Sequence, residues 1–278
     1  MKKISIVTAL LAMLCSFAHA EEEVTNSTPA NVNFGVGFGT SIFDMREVKL
    51  ANLMSRDADE LYADYTSWHL DFTTEFLFSH ESFSLGTGVR LTNQLALMDK
   101  GRDDLYWLVN ETATTCDYIT INVLGQRNYY LGVPLSLRFF FAPVTCRVRP
   151  YLRLDGGFDF LISSKNSVKI WNEQMERRYE DKVKSDMGKP DNFHIVASAA
   201  GGVRVWCNHF YVNGEFVFPQ IQAAGSPISF IEEDEIRVNA GIKIAIQFPI
   251  GSAAETETVE TSYSTDVQTE NEMPTEDF

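Results

Sequence analysis

Eight segments of this chain alternate residue by residue. Large apolar side chains occupy one parity, and glycine, hydroxyl, amide or charged residues occupy the other. A period of two is the signature of β-strands with two unlike faces. The first segment sets Val32, Phe34, Val36 and Phe38 against Asn33, Gly35, Gly37 and Gly39. The second sets Trp68, Leu70, Phe72, Phe76 and Phe78 against His69, Asp71, Thr73 and Glu75, and the third sets Phe83, Leu85, Val89 and Leu91 against Ser84, Gly86, Gly88 and Arg90. Leu131 to Phe141, Leu152 to Phe160, Phe193 to Val205, Phe210 to Phe218 and Val238 to Phe248 complete the set. Links after the second, fourth and sixth segments are short, whereas those after the first (near Asp44 to Tyr65), third (near Met98 to Arg127), fifth (near Leu161 to Asp191) and seventh (near Pro219 to Glu235) are long. The expectation is an all-β, eight-stranded antiparallel up-and-down transmembrane β-barrel, since short turns on one side and long loops on the other divide such barrels.

Alternation alone does not separate a membrane barrel from a soluble one; the content of the polar parity does. It carries five acids (Asp71, Glu75, Asp155, Asp159, Glu215) and five bases (Arg90, Arg138, Arg153, Arg204, Lys243) among many glycines. An eight-stranded interior is only wide enough to be filled by side chains, and glycines leave room there for long charged ones. Arginine suits bidentate pairing where water is scarce. The apolar parity carries no charge in any of the eight segments, as lipid requires, because Arg or Lys at the midplane costs roughly 2–4 kcal/mol. The expectation is therefore an inward ion-pair network and an outward apolar belt. Segments of about 10 residues then suffice to cross, with aromatic residues at their ends.

The ends fit an exported protein. Lys2 and Lys3, the apolar run Ile4 to Phe17 and Ala18-His19-Ala20 read as a signal peptide over residues 1–20. Residues 21–30 form an N-terminal periplasmic segment, 31–248 the barrel and 249–278 an acidic tail. That tail holds eight acids and no Lys or Arg, within a chain of net charge −15. Such a stretch buries too little apolar surface to order itself, and an acidic chain lacks the basic footprint of a nucleic-acid binder. An even strand count places both termini in the periplasm and the four long loops outside the cell.

Three cysteines follow the signal segment. If Phe160 faces Phe193, the same antiparallel register sets Cys146 opposite Cys207, a candidate disulfide at the periplasmic rim; Cys116 then has no partner. Neither metal-ligand spacing nor a cofactor motif appears. His69 and His194 are the candidates for an outer-leaflet lipid-modifying enzyme, but both fall on the inward parity, so no catalysis is expected. A narrow porin-like channel is the other alternative, and the balanced charges argue for an interior that conducts little. The densely charged stretch Lys165 to Asp191 suits a surface ligand or partner.

The stretch Tyr130-Leu131-Gly132-Val133-Pro134-Leu135-Ser136-Leu137-Arg138, with Arg149-Pro150-Tyr151-Leu152 and Gly156-Gly157, resembles the central signature of the PorT-like outer-membrane β-barrel family. Asn239, Gly241, Ile244, Ile246 and Phe248 are similar to the signal by which the barrel assembly machinery reads a last strand. The resemblance spans Val32 to Phe248 and implies a bacterial outer-membrane location with no catalytic residues. The acidic extension beyond Phe248 departs from barrels that end at that aromatic.

Overall fold

A computed structural model of the protein describes residues 32–42, 44–56, 60–78, 82–100, 104–111, 116–232, 236–237 and 240–250. The signal peptide, the segment 21–30, Asn239 and residues 251–278 lie outside these. The elements are β1 (Val32–Ile42), β2 (Asp44–Glu47), β3 (Leu53–Ser55), β4 (Tyr62–Leu77), β5 (Phe83–Asp99), β6 (Leu105–Glu111) and β7 (Cys116–Phe140). After them come β8 (Val148–Ile170), α1 (Glu173–Asp186), β9 (Phe193–Trp206), β10 (Tyr211–Ala224), β11 (Ile236–Arg237) and β12 (Ala240–Ile250).

Eight of these strands close on themselves in the order β1-β4-β5-β7-β8-β9-β10-β12, every neighbouring pair antiparallel. The seam between first and last strands is continuous, from Val32 opposite Ile250 to Ile42 opposite Ala240. Closure leaves no open edge around the ring, so backbone groups there find partners within the sheet. The eight expected segments map one to one onto the ring.

The expected strand lengths and loops need correction. The sheet has twelve strands, and much of the chain assigned to long links is β structure. β2 continues β1 along β4, and β6 continues β5 along β7. β7 reaches 25 residues and β8 reaches 23. The stretch Lys165 to Asp191, expected to be a loop, holds the end of β8 and the 14-residue helix α1. Asn172 caps that helix by accepting from the backbone N–H groups of Gln174 and Met175, and Glu173 and Glu176 complement its N-terminal dipole. Gly188, at φ 75°, follows its end, where a left-handed residue terminates the turn at little cost.

Two backbone details shape the ring. Pro134 has no N–H to give, and the β5–β7 ladder skips from Thr87–Leu135 to Arg90–Gly132 around it. Beside it, Gly88 lets β4 approach closely: a Cβ there would sit 1.9 Å from the Phe72 carbonyl oxygen. At the rim of the short turns Asn208, at φ 64°, makes the tight β9–β10 turn that Asn tolerates.

The Cys146–Cys207 expectation is answered in two parts. Phe160 does face Phe193, and the register runs to Val148 opposite Val205, so the two cysteines follow in register. Both are nevertheless free thiols, Cys146 exposed and Cys207 half-buried. Each sits where the strand gives way to a turn: Cys146 donates its N–H to Pro143 and Cys207 donates to Phe210. Direct cross-strand neighbours strain the disulfide dihedral.

Candidate functional site

The interior divides into a polar half near the short turns and an apolar half near the long connections. In the polar half, Glu75 is fully buried on β4. Arg138 reaches it from β7 at 2.6 Å and Arg204 from β9 at 2.6 Å. Ser84 and Asn33 also donate to Glu75. One level away, Glu215 on β10 has Arg153 at 2.7 Å and Arg138 at 3.4 Å, and it accepts from the Tyr151 hydroxyl at 2.7 Å. Arg90 on β5 spans Asp71 at 2.8 Å and Asp155 at 2.9 Å. Lys243 on β12 donates to Asp71 from across the ring seam.

Arg153, 3.7 Å from Asp155, joins the two groups, so nine of the ten residues read from the sequence form one connected set. Asp159 stands apart, 3.1 Å from the fully buried His194. The His194 ring meets Tyr130 edge-on at 4.4 Å between centroids, and the Tyr130 hydroxyl donates to the Pro227 carbonyl. His69 points at Asp71 from 3.8 Å. Neither imidazole is hydrogen-bonded to a serine hydroxyl among the described residues, so no nucleophile–base pair is assembled.

The sequence reading missed several participants. Arg149 is buried, donates to the Ala142 carbonyl and lies over the Phe140 ring at 4.2 Å. It continues the inward parity of Arg153 by two steps of two, which is the signal that points to it. Gln247 and Asn213 form a second ring of partners around Arg204. Glycine makes room for the charges: a Cβ at Gly132 would lie 1.8 Å from an Asp159 oxygen.

The apolar half is a packed core. Trp107, Leu105, Ile121, Leu124, Val168 and Ile170 line the extended strands; Val183 of α1 and Met187 at its C-cap, with Ile228 and Phe230 of the segment before β11, pack against them. Gln126, buried just below, clamps that segment by donating to Ser229 and Asn166. Among the described residues, an apolar cluster thus lies at one end of the interior and paired charges at the other.

The two faces of single strands exchange character along their length. On β4 the outward side chains are Phe76, Phe72 and Trp68, all exposed, then Thr66 and Asp64; inward come Glu75 and Asp71, then Tyr65 and Ala63. On β7 the outward series is Phe139, Leu135, Val133 and Leu131, then Tyr129 and Arg127, while inward Arg138 and Ser136 give way to Leu124 and Ile121. On β8 Leu152, Leu154, Phe158 and Phe160 are exposed, followed by Ser163, Lys165 and Lys169. The exchange falls at one level of the ladder, because register aligns Trp68 with Asn93, Asn93 with Tyr129, and Tyr129 with Ser163. Below that line these three strands are apolar outside; above it they are apolar inside.

Gly241, Lys243, Ala245 and Gln247 of β12 face inward and Ile242, Ile244, Ile246 and Phe248 face outward. Of the residues compared with an assembly signal, Gly241 is inward, Ile244, Ile246 and Phe248 are outward, and Asn239 lies outside the described residues.

No family model matches the chain, and no curated protein matches it. Among solved structures, it is similar to the crystal structure of Neisserial surface protein A, at 8% identity and TM-score 0.37, covering 78% of this chain and 97% of that one. It is also similar to the N-terminal β-barrel domain of Pseudomonas aeruginosa OprF, at 10% identity and TM-score 0.29, over 80% of this chain and 100% of that one. The translocator domain of the autotransporter NalP from Neisseria meningitidis overlaps at 9% identity and TM-score 0.22, over 89% and 96% of the two chains. At these scores the overlap is too loose to carry an inference about function.

Proposed function

We propose that the chain is an integral outer-membrane β-barrel protein: a non-conducting, non-enzymatic anchor that holds a folded outer crown at the cell surface. The observation that carries this reading is the exchange of faces along β4, β7 and β8. A strand in one solvent keeps one face apolar throughout. A strand that leaves hydrocarbon for water must turn its apolar face outward in the first and inward in the second. The outward apolar series covers about 9 or 10 residues, which at a ~3.3 Å rise and a tilt near 40° spans the roughly 25 Å of an apolar bilayer band. Below the line an open edge would leave backbone groups without partners in lipid, and the closed seam avoids this.

In this reading the short turns and the ring's two ends face the periplasm, and α1 with the extended strands faces outward. The PorT-like resemblance agrees with it but rests on its short motifs alone. The partners are outer-membrane lipid and the barrel assembly machinery; any surface ligand would meet the crown. The direct test is fractionation followed by gel electrophoresis with and without boiling. The chain should reside in the outer-membrane fraction and migrate faster unboiled. Recovery in the periplasm, with boiling-independent migration, overturns the reading.

Two further outcomes follow from orientation and closure. A membrane-impermeant maleimide should label Cys146 only after the outer membrane is permeabilised; labelling in intact cells would invert the topology. In planar bilayers the purified chain should give no steady open-channel current, since water would have to pass both the Trp107–Phe230 plug and the Glu75–Arg138–Arg204 set. A long-lived open state would contradict the closed interior.

A further inference from the structure

We infer that the outer wall of β7 and β8 binds the phosphate group of one outer-leaflet lipid between Arg127 and Lys165, with the acyl chains lying on Leu131, Val133, Phe158 and Phe160. The inference rests on the membrane reading above and adds a site to it.

Arg127 and Lys165 face each other directly across the β7–β8 ladder, both exposed on the outer side. Like charges directly opposite on one face repel, and the usual relief is an intervening carboxylate. Among the described residues neither has an ion-pair partner, and neither does Lys169, four residues further along β8. On the other side of β7, Arg127 faces Leu95, and the nearest outward acid of that strand, Asp99, lies four residues further up, opposite Val123. The pair is thus a cationic fork without a counter-ion among the described residues.

Its height selects the ligand. Leu131 is the last exposed aliphatic residue of β7 among the described residues, Tyr129 follows at the line, and Arg127 comes two residues beyond. Two residues rise about 5 Å along the membrane normal at a tilt near 40°. The headgroup layer on each side of a ~30 Å hydrocarbon core is about 5–8 Å thick, so the fork stands at phosphate depth. Directly below, Leu131, Val133, Phe158 and Phe160 are exposed on the same two strands. Ser163, opposite Tyr129, and the Tyr129 side chain give hydroxyls between fork and apolar wall. Guanidinium and ammonium groups together bind phosphate through a planar fork and a point charge.

The test is native mass spectrometry of the full chain, purified in detergent and titrated with three probes: lipid A carrying both phosphates, the same lipid freed of phosphate, and inorganic phosphate. The wild-type chain should retain the phosphorylated lipid in preference to the other two. An interfacial Lys or Arg strengthens anionic-lipid binding about five-fold, so Arg127→Gln with Lys165→Gln should weaken retention by about 30-fold. Exchanging the two cations, Arg127→Lys with Lys165→Arg, should keep it. Unchanged retention in the double Gln variant, or equal retention of the phosphate-free lipid, overturns the site. Preference for inorganic phosphate over lipid overturns the lipid as occupant. Boiling-dependent migration of each variant is read in parallel. If the wild type lacks it the membrane reading itself has failed, whereas its presence with unchanged retention rejects the lipid site alone.

Discussion

Replacing Glu75 by Ala should be the most damaging single change in the polar half of the interior. Glu75 is the shared acceptor for Arg138 and Arg204, each at 2.6 Å, and both guanidiniums are buried. Removing one partner of a buried pair leaves the other charge without compensation, at a cost of about 3–5 kcal/mol; here two charges are stranded. Glu215 supports Arg138 through a longer 3.4 Å approach, while Arg204 keeps the amide oxygens of Asn213 and Gln247. The expected cost therefore lies near that range rather than at twice it. Urea titration of the unboiled, fast-migrating gel band should show a large fall in midpoint. Because the loss comes from stranded charge, simultaneous replacement of Glu75, Arg138 and Arg204 by apolar residues should recover much of it. A Glu75→Ala protein that resists urea like the wild type would mean that the ion pairs do not hold the ring together.

The second large effect is a reversal of tolerance across the line where the faces exchange. Leu135→Arg places a charge on the outer wall below the line, where Leu135 is exposed to what we read as lipid, and should cost about 2–4 kcal/mol. Asp64→Arg places the same group on the outer wall above the line, where Asp64 is exposed; ordinary surface substitutions stay within about 0.5 kcal/mol. Leu124→Arg moves the charge inside above the line. Leu124 is fully buried among Trp107, Ile121 and Val168, so the loss should reach at least the roughly 2–5 kcal/mol of a Leu→Ala cavity, with an unpaired charge added. All three can be read from the unfolding midpoint in the same vesicles. Equal tolerance of Leu135→Arg and Asp64→Arg would remove the argument for a bilayer around the lower wall.

How the sequence relates to this architecture is clearest on β4. Phe76, Phe72, Trp68 and Glu75, Asp71 alternate with one polarity, and the side-chain period of a strand forces those two sets to opposite faces. The same logic identified eight ring strands and the inward parity of the ten charged residues, whereas the Phe160–Phe193 pairing could only be supposed and was supplied by the structure. Toward its start the strand continues through Thr66, Tyr65, Asp64 and Ala63, but its polarity is reversed. A search for one apolar parity ends at Trp68 and assigns the rest to a loop. The extension β6 and the outer parts of β5, β7 and β8 were lost for the same reason. Arg149 was missed because the segment was begun at Leu152.

From the sequence alone came the local facts: which residues are extended, which parity each side chain takes, and that charges and glycines share one face. Those follow from the geometry of a pleated strand and need no knowledge of neighbours. Ring closure decided which charges meet, since Glu75 draws Arg138 and Arg204 from residues 63 and 129 positions away. Assembly of the long connections decided where the apolar core sits, because Val183, Ile228 and Trp107 acquire a common interior only once α1 and the extended strands fold over it. Contacts between residues far apart in the chain have no period to betray them; they exist only when the backbone brings the partners together.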